Sequence, residues 1–323
     1  MDLYITKSGS LNRKDNSLIF KNEKIKKIIP VKTVDSIYAF GRISFNSELI
    51  SFFSKLQIPI FFYNYYGFYD GCFYPREKMI SGNILVKQVS YYTDNNKRLE
   101  IAKEIIRGSL HNIIKTLFQY ELHKVIKKIR SYEENINNVK TIFELLSVEG
   151  NFRQYYYSQW NNILKDKNFE YIKRVRNPPD NYINTLISFG NSLLYTTTLS
   201  EMLKTQINPL VSFVHEPFVR RYSLNLDLAD IFKPLIVDRV IFKLINRNQI
   251  KPNDFDTGLN FCYLNDSGRI KFLKEYDEKL NQTIKDYSLK RNVSYRYLLR
   301  LECYKLIKQF LEGKKYKSFK INW

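Results

Sequence analysis

Up to Phe73 the apolar positions come in short β-branched or aromatic runs: Leu3-Tyr4-Ile5, Leu18-Ile19-Phe20, Lys24 to Ile29, Ile37-Tyr38-Ala39-Phe40 and Ile58 to Tyr63. Runs of this length, split by turn formers, predict strands. One segment departs from the pattern. In Asn46 to Leu56 the apolar residues Leu49, Ile50, Phe52, Phe53 and Leu56 recur at helical spacing, which predicts a single helix. Gly67 to Tyr74, centred on Asp70-Gly71, predicts a closing hairpin.

From Pro75 to Gly82, Pro and Gly punctuate the chain around a cluster of charges, which marks a boundary. Beyond it the pattern is helical. Apolar residues return every three or four positions in Lys97 to Arg130, Thr141 to Leu164, Asn184 to Leu203, Leu226 to Ile245, Ile270 to Tyr287 and Tyr297 to Leu311. Pro234 falls inside one of these stretches and predicts a kink or a break there. The expected fold class is α+β: a small N-terminal β-rich domain over residues 1–80, then a larger all-α domain over residues 81–323.

Charge adds a partner to this picture. Lys and Arg total 52 against 32 acids, a formal net charge of +20. Such a field draws polyanions, and nucleic acid leads because each neutralised phosphate releases counterions. A Lys-rich surface with no partner is the plain alternative. No compact polybasic amphipathic helix supports a membrane surface, and no apolar stretch approaches the roughly 20 residues that span a bilayer. The three cysteines, Cys72, Cys262 and Cys303, are scattered and odd in number, so a reducing compartment is expected. Met1-Asp2-Leu3-Tyr4 lacks signal-peptide architecture, and a cytoplasmic location is the expectation.

Several chemistries drop out. There is no G-x-x-x-x-G-K-[ST] loop, no G-x-G-x-x-G after a strand and no G-x-S-x-G elbow, and His215-Glu216 lacks the second histidine of a zincin. Three segments stay open. His215 ends the apolar approach Val211-Ser212-Phe213-Val214, where it is either a satisfied structural histidine or a ligand. Asp227 and Asp230 stand one helical turn apart among Leu226, Leu228, Ile231 and Phe232. They are either acids favoured by a helix dipole or acids whose desolvation a cation offsets. Glu149 lies in an apolar helical pattern directly before Gly150, a residue that costs about 1 kcal/mol of helix propensity relative to Ala. Gly150 points to close approach of a backbone or ligand, or Glu149 simply pairs with Arg153 four residues on.

In order and spacing these segments resemble the integrase of CRISPR spacer acquisition, the CRISPR-associated endonuclease of adaptation. Glu149-Gly150 with Arg153 and Tyr155-Tyr156 resembles its first helical motif. Asn177-Pro178-Pro179-Asp180, Asn184, Ser188-Phe189-Gly190 and Leu193-Leu194-Tyr195 resemble the central one. His215-Glu216-Pro217, Arg221, Leu226 to Asp230 and Phe232 to Arg239 resemble the last. Phe61 to Gln88 is similar to the family's domain junction. One stretch departs: where the family usually reads Gly-Leu-Asp-Pro and Gly-Phe-Leu-His, this chain has Gln206-Ile207-Asn208-Pro209 and Ser212-Phe213-Val214-His215.

The resemblance implies a metal-dependent DNA integrase and endonuclease with Glu149, His215 and Asp230 as catalytic metal ligands and Asp227 supporting them. One nitrogen with several oxygens suits Mg2+ or Mn2+. It also implies attack of a DNA 3′-hydroxyl on a phosphodiester, double-stranded and branched DNA as substrate, a homodimer formed through the β domain, and a small ferredoxin-like CRISPR-associated partner. Arg153 and Arg221 become candidates for holding the DNA backbone, and Tyr155, Tyr156 and Tyr222 for stacking or phosphate contact, with core packing the alternative for the tyrosines. Two other readings remain: a basic DNA-binding scaffold without catalysis, and a nuclease for repair junctions.

Overall fold

In the computed structural model, which describes all residues except 76–78, 177, 218–221, 260, 287–288 and 323, the N-terminal runs build two four-stranded sheets. The strands are β1 (Asp2–Ile5), β2 (Gly9–Lys14), β3 (Ser17–Lys21), β4 (Lys26–Pro30), β5 (Ser36–Ala39), β6 (Ile43–Ser44), β7 (Ile60–Tyr63) and β8 (Tyr69–Phe73). One sheet has the order β1-β5-β7-β8, with β1, β5 and β7 parallel, and the other the order β4-β3-β2-β6. Helix α1 (Ser47–Leu56) starts where the Asn46 side chain accepts from Leu49 N at 3.0 Å, and it buries Leu49, Phe52 and Phe53. The closing hairpin turns earlier than expected. Its turn is Asn64 to Phe68, with Gly67 at φ 84°, and Asp70-Gly71 lies within β8.

The helices that follow are α2 (Gly82–Thr93), α3 (Asn95–Phe118), α4 (His123–Arg130), α5 (Tyr132–Asn138), α6 (Ile142–Ser158), α7 (Tyr182–Met202), α8 (Leu224–Phe232), α9 (Val237–Asn246), α10 (Asp266–Asn281) and α11 (Tyr295–Glu312). Pro234 does interrupt its helix: α8 ends at Phe232 and α9 begins at Val237. Helix α7 is the hub, buried on nearly every side, and a Cβ on its Gly190 would come within 2.5 Å of Val237 on α9. The second part is not purely helical. It carries the antiparallel hairpins β9 (Phe255–Gly258) with β10 (Phe261–Leu264), and β11 (Thr283–Asp286) with β12 (Arg291–Ser294). The Ile270 to Tyr287 pattern is therefore helical only to Asn281, Gln282 turning to extended backbone, and Tyr287 lies outside the described residues. The α+β class stands. No helix among the described residues is long and apolar enough to cross a membrane.

A line of buried hydroxyls joins the β strands to α7. Ser36 Oγ meets Ser200 Oγ at 2.6 Å, Tyr38 donates to Thr197 at 3.4 Å, and the Tyr63 hydroxyl bonds Thr196. Thr197 in turn meets the Tyr276 hydroxyl of α10 at 3.0 Å, and Arg296 of α11 pairs with the buried Asp2 at 2.5 Å. At the far end, the segment after α11 runs back along α3 and α8. Phe319 stacks on Phe232 with centroids 5.5 Å apart, and the Asn112 amide donates to Ile231 O at 2.9 Å and Phe319 O at 3.2 Å.

Candidate functional site

Helix α6 begins at Thr141, whose side chain accepts from Glu144 N at 3.2 Å. Leu145, Phe152 and Tyr156 bury one face, which leaves Glu149 and Arg153 half-buried at the edge of that face. The expected i, i+4 pair forms: Arg153 Nε donates to Glu149 Oε1. It is no ordinary surface pair, because the same guanidinium donates through Nη2 to Ser109 Oγ of α3 at 3.1 Å and stands 3.4 Å from Asp230 Oδ2 of α8. Around Gly150 there is open space, with nothing within 4 Å of an added Cβ, so packing against the protein's own backbone does not explain this glycine. Gly150→Ala is expected to stabilise the fold by about 0.5–1 kcal/mol, read as a higher urea midpoint.

The segment before His215 is held from several sides. Gln88 of α2 donates to Asn208 O at 2.9 Å and Val211 O at 2.8 Å and accepts from Asn208 N at 3.0 Å, while Arg98 donates to Phe213 O at 3.0 Å. Asp227, wholly buried in the first turn of α8, completes the cradle. Its carboxylate accepts from Phe213 N at 2.7 Å, Val214 N at 2.9 Å and His215 N at 3.0 Å, and meets His215 Nδ1 at 2.7 Å. A carboxylate on Nδ1 fixes the proton there and leaves Nε2 as the lone-pair nitrogen of the neutral ring. Burial pulls the His215 pKa down, but the Asp227 hydrogen bond and the Asp227 and Asp230 charges outweigh it, so the value lies above that of an ordinary histidine.

Asp230 is 4 % exposed. Burial alone would raise its pKa, yet Arg153, Lys233 and His215 hold it well below the usual carboxylate range. Lys233 Nζ contacts Asp230 Oδ1 from one turn further along the chain. Behind them lies Asp238, whose Oδ2 accepts from Tyr156 at 3.0 Å and whose Oδ1 has no hydrogen-bond partner. Burial pushes the Asp238 carboxyl up to about 7 against the lowering influence of Tyr156, Arg153 and Lys233. The folded protein thus favours the neutral acid, whose contribution to stability is whole below about pH 4 and is lost as the pH climbs to 7. Asp238→Asn, neutral at every pH, is expected to gain on the parent by up to about 2–3 kcal/mol between pH 5 and pH 7 in urea unfolding.

The structure brings His215, Asp227 and Asp230 into one electrostatic neighbourhood, and Arg153 links Glu149 to it. One imidazole nitrogen and two carboxylates have the chemistry Mg2+ or Mn2+ takes. Among the described residues, however, no three His, Cys, Asp or Glu side chains stand together as a metal cage. Two candidates for DNA contact need correction. Arg153 is only 13 % exposed and is committed to Glu149, Ser109 and Asp230. Tyr156 is 1 % exposed with its hydroxyl on Asp238, so it belongs to the core. Tyr155 and Tyr222 are half-buried and pack against the same core, and Arg221 and Asn177 lie outside the described residues. Sequence reasoning missed Lys233, Asp238, Arg98 and Ser109. Only Lys233, one turn from Asp230, offered a local signal.

The sequence model described as CRISPR associated protein Cas1 matches residues 3–278. The CRISPR-associated endonuclease Cas1 3 of Thermodesulfovibrio yellowstonii is 46 % identical over 323 residues, covering 99 % of each chain. Among solved structures, the Cas1 protein TM1797 of Thermotoga maritima superposes with TM-score 0.91 at 38 % identity, covering 99 % of this chain and 100 % of that one. A casposase bound to integration product shares the fold, at TM-score 0.87 and 21 % identity, over 99 % of this chain and 93 % of that one. With the family's model spanning most of its length, and close relatives matching it from end to end, the chain belongs to the Cas1 family of CRISPR-associated proteins.

Proposed function

We propose that this chain is a DNA endonuclease and integrase of CRISPR spacer acquisition, working with Mg2+ or Mn2+ at Glu149, His215 and Asp230. The observation that carries the reading is the buried Asp227 carboxylate, which orients His215 through Nδ1 within electrostatic reach of Asp230. Such a carboxylate–histidine pair is the usual support of a metal-binding imidazole. A bound divalent ion would polarise the phosphodiester and neutralise charge on its oxygens. Glu149 and Asp230 supply oxygen donors, and Lys233 stays beside Asp230 as a fixed positive charge. The net charge of +20 would concentrate DNA at the surface. The T. yellowstonii relative, a CRISPR-associated endonuclease, supports the nuclease. A homodimer through the β strands, a small ferredoxin-like CRISPR-associated partner, and double-stranded or branched DNA belong to the same proposal.

The test is strand transfer and cleavage of branched, protospacer-like DNA by purified protein with each metal. Wild type is expected to act, and Glu149→Ala, His215→Ala and Asp230→Ala to fail. Equal activity in all four overturns the site. One observation favours a second reading, a non-catalytic DNA-binding scaffold: the described side chains form no three-donor cage. That reading expects salt-dependent binding with a steep slope and no metal-dependent product from wild type.

A further inference from the structure

The carboxylates at this site already have cations. Glu149 and Asp230 share the Arg153 guanidinium, Asp230 also holds Lys233, and the Asp227 carboxylate is filled by three backbone N–H groups and His215. A divalent ion entering between Glu149 and Asp230 would meet a guanidinium that is 13 % exposed, where charges are weakly screened and like charges repel strongly. Arg153 faces Glu149 Oε1 and Asp230 Oδ2, so a divalent ion competes with it for those oxygens. Resting on the metal reading proposed above, we infer that Arg153 is the site's resident cation, which neutralises Glu149 and Asp230 in the metal-free protein and is displaced when a divalent ion binds. Ser109 tethers the same Nη2 from α3, so the side chain has an anchor outside the two acids.

The inference makes Arg153 a competitor for metal, whereas a residue that merely positioned the acids would favour metal binding. Direct Mn2+ binding separates the two: the electron paramagnetic resonance signal of free Mn2+ is titrated with full-length protein and no DNA. Arg153→Met is expected to bind Mn2+ about tenfold or more tightly than wild type. Arg153→Lys, which keeps the charge, should stay within about threefold of wild type, and His215→Ala should lose binding. Because Arg153→Met takes a cation from Glu149 and leaves Asp230 with Lys233, Arg153→Gln is measured beside it, and the melting temperature of each is followed with and without Mn2+. Both are expected to gain more from Mn2+ than wild type does. Unchanged or weaker Mn2+ binding in Arg153→Met and Arg153→Gln, with binding lost in His215→Ala, would overturn the inference and leave the metal reading intact. Absence of Mn2+ binding in wild type and every variant would overturn the metal reading, and the inference with it.

Discussion

His215→Ala is expected to lower metal-supported DNA strand transfer by at least about a hundredfold while leaving the protein folded. The activity loss follows from removing the only imidazole near Asp230 among the described residues, and with it the nitrogen that Asp227 orients. The fold should survive because Asp227 keeps three backbone donors, from Phe213, Val214 and His215 itself, when the ring is gone. The ring is also partly exposed, its side chain being 31 % accessible. A melting temperature within a few degrees of wild type, measured on the same preparation used for the DNA assay, would assign the lost activity to the site. Strand transfer within threefold of wild type would remove His215 from it.

Asp227→Ala is expected to do the reverse in proportion, with a large loss of stability accompanying the loss of activity. The substitution leaves three N–H groups without their acceptor in a buried turn, each at about 1–3 kcal/mol, and these costs do not add fully. A total of about 4 kcal/mol is a reasonable expectation, which for a chain of this size lowers the melting temperature by roughly 10 °C. Activity should fall about tenfold or more even below the melting transition, since the imidazole loses the partner that fixes its orientation. Thermal unfolding at several temperatures of assay separates the two effects. If Asp227→Ala melts with wild type, the carboxylate is not the keystone of the His215 segment.

Periodicity made the long helices legible, because α3, α6, α7 and α11 each bury a face or a whole hub and so carry apolar residues at 3.6-residue spacing. It missed the hairpins β9–β10 and β11–β12, whose four-residue strands are too short for alternation to register and, in β11 and β12, mostly polar. At the closing hairpin a strong turn signal misled. Asp70-Gly71 reads as a two-residue turn, but the Asn64 side chain accepts from Tyr66 N and Phe68 N, both at 3.0 Å, and locks the turn earlier. At the site, spacing showed that Asp227 and Asp230 share a helix and that Glu149 and Arg153 pair. It could not show that Arg153 also reaches Asp230, 77 residues away, or that Asp227 belongs to the backbone of the His215 segment. Those are tertiary facts, set by how α6 and α8 pack on α3. The resemblance of ordered motifs, rather than any single residue pattern, supplied what spacing lacked.

The hydroxyl line between the β strands and α7 gives the molecule a fixed gauge length. Ser36, Tyr38 and Tyr63 meet Ser200, Thr197 and Thr196 at successive heights on one helix. A slip of one helical turn, about 5.4 Å, would break all three of these pairings at once. The sheet that carries β5 and β7 is therefore held in register on α7. Whatever grips the sheets holds the segment of chain that carries Asp227 and Asp230 at a set distance, through α7 and its contact with α8. Two copies joined through those strands would place their two sites at a separation set by the seam.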